Sequence, residues 1–145
     1  TLSIMSFQSH QNLFNTAIAG NGIIYVSLKG SMTIELDLAE QIINSCLENI
    51  TISDGNVGLI LNMSKVAFVT EDARRYLSSF ELTRKGITHL ALVSNSHLSN
   101  VISTLMIENC EAEKVIPMKL LKTTESAVDW LQSEIKVNEQ LVAAV

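Results

Sequence analysis

The chain has 145 residues, of which 47% are hydrophobic and 17% charged, and its formal net charge is −5. This composition argues against a disordered chain and predicts one domain over residues 1–145, with 1–12 and 136–145 as peripheral tails. The acidic balance argues against a nucleic-acid partner, because phosphate binding needs a clustered basic surface. There is no apolar run of about 18 residues and no signal-peptide pattern, so we expect a cytoplasmic domain without a membrane span.

Neither a metal site nor a cofactor site is predicted. The histidines His10, His89 and His97 are scattered, and no H-x-x-x-H, C-x-x-C or Gly-rich phosphate loop occurs. His89 falls inside a predicted strand, which favours a structural role. Cys46 and Cys110 lie far apart and are interpreted as two reduced, largely buried thiols.

The first predicted element is a β-hairpin. Two strand-like stretches, Asn12–Ala19 and Ile23–Lys29, flank the turn signal Gly20-Asn21-Gly22. A helix over Asp37–Ile50 follows, and Asp37 with Glu40 is predicted to cap its start. Its apolar stripe comprises Ala39, Ile42, Ile43, Cys46, Leu47 and Ile50.

A buried strand and a capped helix come next. After a turn at Asp54-Gly55-Asn56, the apolar run Val57–Met63 lacks alternation, which predicts a strand covered on both faces. Beyond a short loop, Thr70 is predicted to cap a second helix that ends at Gly86 in the left-handed conformation. The predicted inner face of this helix comprises Ala73, Tyr76, Leu77 and Phe80.

A further strand and helix follow before the last strand. Thr88–Ser94 is a predicted strand, and Ser96 is predicted to cap a third helix. The apolar stripe of that helix comprises Leu98, Val101, Ile102, Leu105 and Met106. Val115–Leu121 is predicted as an edge strand, because Pro117 cannot donate to a ladder.

Thr123 or Thr124 starts a fourth helix, whose continuation through Lys136–Val145 stays open. Its inner face comprises Ala127, Val128, Leu131 and Ile135. The fold class is therefore α/β: an N-terminal β-hairpin, then alternating β/α units, in a mixed, largely parallel sheet of about five strands with about four helices.

The stretch LNMSKVAFVTEDARRYL resembles the strand–loop–helix signature of STAS domains, the SpoIIAA-like anti-sigma-factor antagonists. Three segments stand at the places of that family's Asp-apolar-Ser, apolar pair and DSSG-type turn: Asn62-Met63-Ser64, Phe68-Val69 and Thr70-Glu71-Asp72-Ala73. The later stretch KVIPMKLLKTTESAVDWL resembles small uncharacterised bacterial proteins of STAS/SEC14-like type, whose last helix carries Ala-x-x-Trp-Leu, here Ala127, Trp130 and Leu131. The resemblance covers about Ile23 to Leu131 and implies the SpoIIAA-like (STAS) fold.

The resemblance also implies a regulatory loop, with one departure. In the antagonists, a serine of the DSSG turn accepts phosphate from a partner kinase. Asp72 stands in the place of that serine, and a carboxylate cannot accept phosphate from a serine kinase. At most, Asp72 imitates a permanently charged state. Thr70 is a hydroxyl two residues away, and helix capping explains its position.

Polar residues follow two neighbouring parallel strands at the carboxyl edge of the sheet, where ligands usually bind. These loops comprise Asn62, Ser64, Thr70, Glu71, Asp72, Ser94, Ser96 and His97, and we expect them to contact a partner or ligand. The alternative is a set of capped helix starts in solvent. No orienting acid or oxyanion hole accompanies the Ser and His, so no catalytic residue is predicted.

The sequence therefore predicts a non-enzymatic regulatory or protein-binding module, acting through contacts around Val66–Asp72. The alternative is a carrier of a small apolar or lipid-like ligand between the sheet and its helices, with Met106 beside the cavity. The apolar tail Val137–Val145 favours a homodimer. Which protein or ligand would be bound stays open.

Overall fold

The computed structural model describes residues 13–48, 57–109 and 116–144. Within these ranges the strands are β1 Phe14–Gly20, β2 Ile23–Leu28, β3 Met32–Ile34, β4 Val57–Asn62, β5 Val66–Val69, β6 Ile87–Val93 and β7 Met118–Leu121. The helices are α1 Leu36–Glu48, α2 Glu71–Leu77, α3 Phe80–Lys85, α4 His97–Asn109 and α5 Thr124–Ala144. Some sequence expectations lie outside the described residues: the turn at 54–56, the end of the first helix at Ile50, Cys110, and the tail side chains 136–145.

A five-stranded sheet in the order β1-β2-β4-β6-β7 forms the centre of the described fold. β1 pairs with β2 antiparallel, and the other neighbours pair parallel. The predicted hairpin, the mixed largely parallel sheet and the edge position of the last strand are confirmed. β4 lies in the middle, and Leu59, Ile60 and Leu61 are all buried, as the apolar run predicted.

The helices lie on both faces of this sheet. Neighbouring residues of a strand point to opposite faces, and β4 shows this directly. Leu59 belongs to the larger core cluster, together with Ile43 of α1 and Met106 of α4. Ile60 belongs to a smaller cluster on the opposite face, together with Leu131 of α5. The fold is therefore a three-layer α/β arrangement in which α5 lies opposite α1 and α4.

A second, two-stranded sheet was not predicted. β3 pairs parallel with β5, with Met32 opposite Val66 and Ile34 opposite Val69. The main-chain N–H of Thr70 then donates to the carbonyl of Ile34 at 3.0 Å. The segment Val66–Val69, expected as loop, is thus held as a strand directly before α2.

The second predicted helix is interrupted and consists of α2 and α3. The hydroxyl of Ser78 donates to the carbonyl of Arg74 at 3.1 Å, and the hydroxyl of Ser79 donates to the carbonyl of Tyr76 at 2.7 Å. The main-chain N–H groups of Ser78 and Ser79 donate to the same two carbonyls, so both residues close the end of α2, and the chain turns there before α3 begins. Phe80 is consequently 58% exposed, and its prediction as an inner residue was wrong. Gly86 ends α3 with φ 104°, as predicted.

Two further expectations about helix starts and faces need correction. α1 begins at Leu36, so Asp37 lies inside the first turn and accepts a hydrogen bond from Gln41 instead of capping the helix. In α4, Ile102 and Met106 are buried as predicted, whereas Leu98, Val101 and Leu105 of the predicted inner stripe are exposed. The helix is rotated relative to this prediction, and two buried serines share its inner side, as described below.

Candidate functional site

The predicted site residues fall into two groups along the chain, one beyond β4 and one beyond β6. These strands are parallel neighbours, so both groups begin at the same edge of the sheet. Asn62, Ser64 and the Thr70–Asp72 segment belong to the group that follows β4. Ser94 and Ser96 belong to the group that follows β6. Within the described residues, Asn62 is hydrogen-bonded to Ser64, Thr70 to Asp72, and Ser94 to Ser96 and Ser99.

Asn62 connects the end of β4 to two neighbours. Its side-chain oxygen accepts a hydrogen bond from the main-chain N–H of Ser64 at 2.9 Å, which closes the turn after the strand. Its amide nitrogen donates to the hydroxyl of Tyr25 on β2 at 2.6 Å. Sequence reasoning missed Tyr25. Its place in a strand gave no sign that its hydroxyl reaches the end of a neighbouring strand.

Thr70 precedes α2 at the predicted N-cap position, with φ −67° and ψ 161°, but its side chain does not cap the helix backbone. Its hydroxyl donates to the carboxylate of Asp72 at 2.6 Å. The same carboxylate oxygen accepts the main-chain N–H of Ala73 at 2.9 Å. The hydrogen bond from Thr70 is the main cause that holds the pKa of Asp72 below its ordinary value of 3.8. Asp72 is therefore an exposed carboxylate that keeps its charge.

An exposed aromatic ring lies under the guanidinium of Arg74, close to the start of α2. Phe68 of β5 is 43% exposed, and the guanidinium carbon of Arg74 lies 5.6 Å from its ring centroid. Arg74 also donates to the carbonyl of Val69 at 2.6 Å, which fixes its position over the ring. Glu71 and Arg75 form an exposed ion pair at 2.8 Å. This start of α2, with Phe68, Arg74 and Asp72, is called the β5–α2 platform below.

The group after β6 is a cluster of serine hydroxyls. Ser94 and Ser99 are buried and hydrogen-bonded to each other, and the hydroxyls of Ser96 and Ser99 are 2.6 Å apart. Ser96 accepts the main-chain N–H of Ser99 at 3.2 Å, which confirms it as the cap of α4. The buried Ser103 donates to the carbonyl of Ser99 at 2.7 Å. His97 is exposed at the first position of α4, and the hydrogen bonds of the cluster join serines.

Two other residues that were considered for a chemical role, Cys46 and Met106, are buried in the core. The thiol of Cys46 is buried, and burial raises its pKa to about 12, so it stays protonated. Met106, considered as the side of a ligand cavity, lies in the larger core cluster. The described ranges contain no group of His, Cys, Asp or Glu side chains arranged to hold a metal ion. No helix within them is long and apolar enough to cross a membrane.

The fold is similar to part of a solved transporter. The structure of the murine Solute Carrier 26 family member A9 anion transporter in the inward-facing state matches with a TM-score of 0.52 and 19% sequence identity. The match covers 91% of this chain and 24% of the transporter chain, whose C-terminal domain is a STAS domain. At this identity the likeness concerns the fold alone, and it supports a STAS-like α/β architecture.

Comparison with curated proteins gives no match. A family profile described as a domain of unknown function, DUF7793, matches residues 16–135. The matched region includes all of the described strands from β2 to β7 and all of the β5–α2 platform. Because this match spans most of the sequence, the chain belongs to the DUF7793 family.

Proposed function

We propose that this chain is a non-enzymatic, STAS-like regulatory module that binds a protein partner at the β5–α2 platform. A bacterial cytoplasm is the proposed setting, as the sequence resemblance implies. The observation that carries the proposal is the exposed Phe68 ring held under the guanidinium of Arg74. Aromatic and arginine side chains are the types that most often dominate protein interfaces.

Arg74 and Asp72 give the platform two charged groups that a partner can recognise. Arg74 is held both by the ring of Phe68 and by the carbonyl of Val69, so little side-chain freedom is lost on binding. Asp72 adds an exposed carboxylate, and the hydrogen bond from Thr70 lowers its pKa further. A partner that suits this surface has an apolar pocket for Phe68 and a basic group for Asp72.

The hydroxyl cluster after β6 supports a role without catalysis. Each of the buried serines Ser94, Ser99 and Ser103 is hydrogen-bonded to another serine or to a serine carbonyl. A nucleophilic serine needs a base that accepts its proton, and here the neighbouring groups are other hydroxyls and main-chain carbonyls. The cluster therefore acts as a satisfied polar link between β6 and α4.

The alternative, a carrier of a small apolar ligand, has less support. Its proposed cavity lies between the sheet and the helices, where Met106 and Ile102 pack in the core. A groove of about 240 Å³ lies along the hairpin, with Thr16, Ala17, Ile18 and Ile24 in its lining. Native mass spectrometry of freshly purified protein separates the two functions, because a carrier retains a reproducible bound mass.

A capture experiment tests partner binding at the platform. Tagged wild type and the variants Phe68→Ala and Asp72→Arg are used to capture proteins from the source cell lysate, and the captured proteins are identified by mass spectrometry. A platform partner is one that wild type retains and that each variant loses by about tenfold or more, since truncated interface hot spots typically cost at least 1–2 kcal/mol.

The matched control is Glu125→Arg. Glu125 is also an exposed acid in the first turn of a helix, but it lies in α5 on the opposite face of the sheet. A second control, Ile18→Ala, truncates an exposed apolar residue of the hairpin. If the controls lose the same protein as the platform variants, or if no protein depends on Phe68 and Asp72, the proposal is wrong.

A further inference from the structure

Helix α4 buries polar side chains and exposes apolar ones. Ser99 is 3% exposed and Ser103 is fully buried, whereas Leu98 is 66%, Val101 45% and Leu105 36% exposed. The serines tolerate burial because their hydroxyls are hydrogen-bonded within the helix and to Ser94. The outer side of α4 thus carries an aliphatic stripe that the described fold does not cover.

The spacing of this stripe suits a partner helix. Leu98, Val101 and Leu105 are three and then four residues apart, which is the a-d-a spacing of a helix-packing seam. The helix packs against β5 and β7 on its other side, so its position does not depend on the outer stripe. The exposed residues that flank the stripe, Asn100 and Thr104, are polar and uncharged.

The charges indicate which partner fits. The chain has a net charge of −5, and the first turns of α1, α2, α3 and α5 all carry acidic residues. From His97 to Ile107, however, α4 contains no Asp, Glu, Lys or Arg. Two copies of an acidic chain repel each other at most surfaces, but an antiparallel pairing centred on Val101 joins the uncharged part of α4 and leaves Glu108, in its last turn, at the ends of the contact.

We propose that the outer face of α4 is a self-association surface that pairs with α4 of a second copy of this chain. A two-fold axis makes such an interface self-complementary, and it places the central Val101 of one copy opposite Val101 of the other. A standard interface buries about 800 Å² on each partner, so the stripe forms its apolar centre and Asn100 and Thr104 lie at its rim. This inference does not depend on the proposed partner at the β5–α2 platform.

Sedimentation velocity over a concentration series tests the proposal. Wild type is expected to reach twice the mass of one chain, and Val101→Glu is expected to raise the dimer dissociation constant by about 100-fold or more, because two carboxylates then face each other in an apolar contact. Val101 is partly exposed in a helix, so the glutamate is compatible with folding, which circular dichroism checks. Ile18→Glu is the control, because Ile18 is 68% exposed on β1, away from α4.

A charge-swap experiment shows whether the two copies touch at this position. Val101→Glu and Val101→Lys are each expected to be monomeric alone and to form a mixed dimer when combined, because opposite charges then face each other. Deletion of residues 137–145 is expected to leave the dimer intact. The proposal is overturned if wild type stays monomeric at all concentrations, if Val101→Glu remains dimeric, or if the tail deletion alone abolishes the dimer.

Discussion

At the scale of single residues, His89 is the buried titratable group whose surroundings are best defined. It is 2% exposed on β6, its ring meets Trp130 of α5 edge-on at 6.1 Å, and its Nδ1 lies 2.9 Å from the hydroxyl of Thr88. Burial lowers the pKa of His89, and the carboxylate of Glu134 only partly opposes this shift. The predicted structural role of His89 agrees with this packing, which favours a neutral ring.

This environment predicts a loss of stability in mild acid. The folded pKa lies below the unfolded value of about 6.5, so as the pH falls below 6.5 the unfolded chain binds the proton first. The free energy of unfolding should then fall by at most about 1.4 kcal/mol per pH unit until the folded pKa is passed. Urea unfolding followed by the fluorescence of Trp130, the one tryptophan of the chain, measures this.

Two substitutions identify the histidine responsible. His89→Gln should remove most of this pH dependence, although the mutation itself costs packing against Trp130. His97→Gln should keep it, because His97 is exposed at the start of α4. Equal slopes for wild type and His89→Gln between pH 7.5 and pH 5 would show that another group is the cause.

At the scale of elements, the end of α3 illustrates how one glycine sets a chain direction. Gly86 has φ 104°, its N–H donates to the carbonyl of Thr83, and its carbonyl accepts the N–H of Val57. The same residue therefore ends a helix and aligns the first residue of β4 with the start of β6. The left-handed backbone explains why a residue without Cβ stands here.

Gly86→Ala should lower the free energy of unfolding by about 1–2 kcal/mol, which is the cost of a left-handed backbone for a residue with Cβ. Gly30→Ala is the matched control: Gly30 does not have a positive φ, and a Cβ there meets no atom within 4 Å. Its stability should be unchanged or slightly raised. Thermal unfolding of both variants measures the difference, and a loss of the same size in both would contradict this explanation.

At the scale of the whole molecule, α5 crosses the sheet closely. A Cβ on Gly58 of β4 would lie 2.9 Å from a methyl carbon of Leu131, and Leu131 is fully buried. Gly58 therefore allows the helix to approach the sheet, in keeping with the smaller core cluster of Ile23, Ile60, Ala91 and Leu131. The opposite face, by contrast, holds the larger cluster beneath α1 and α4.

Gly58→Ala should destabilise the fold by about 1–3 kcal/mol, the usual cost of inserting a methyl group into a packed core. Leu131→Val, which shortens the opposing side chain, should also destabilise the fold alone. The double variant should lose less than the two single losses added together, because the shortened side chain makes room for the new Cβ. Strictly additive losses in chemical denaturation would mean that Gly58 and Leu131 do not share this contact.

Several features of this architecture follow from local sequence rules, and others do not. The hairpin turn, the buried run of β4 and the cap of α4 by Ser96 depend on nearby residues, and they were predicted. The pairing of β3 with β5 joins strands of three and four residues across a long separation, which leaves too short a pattern to recognise.

The candidate site was predictable in position but not in its contacts. The start of α2 at Glu71 followed from the capping pattern, yet that pattern does not reveal that Thr70 bonds to Asp72 or that Arg74 covers Phe68. Apolar spacing likewise identified α4 but not its rotation. The inner side of that helix includes Ser99, whose hydroxyl is hydrogen-bonded to Ser94 in the loop before the helix.

The Thr70–Asp72 hydrogen bond has a consequence for how such a module can be controlled. A serine in this place could act as a phosphorylation switch, because adding or removing a phosphate changes its charge. The carboxylate of Asp72 carries one permanent charge, and Thr70 makes that charge harder to neutralise. On the proposed function, this charge does not switch as a phosphoserine does, so we expect output to follow dose: the number of copies the cell makes relative to the number of partners.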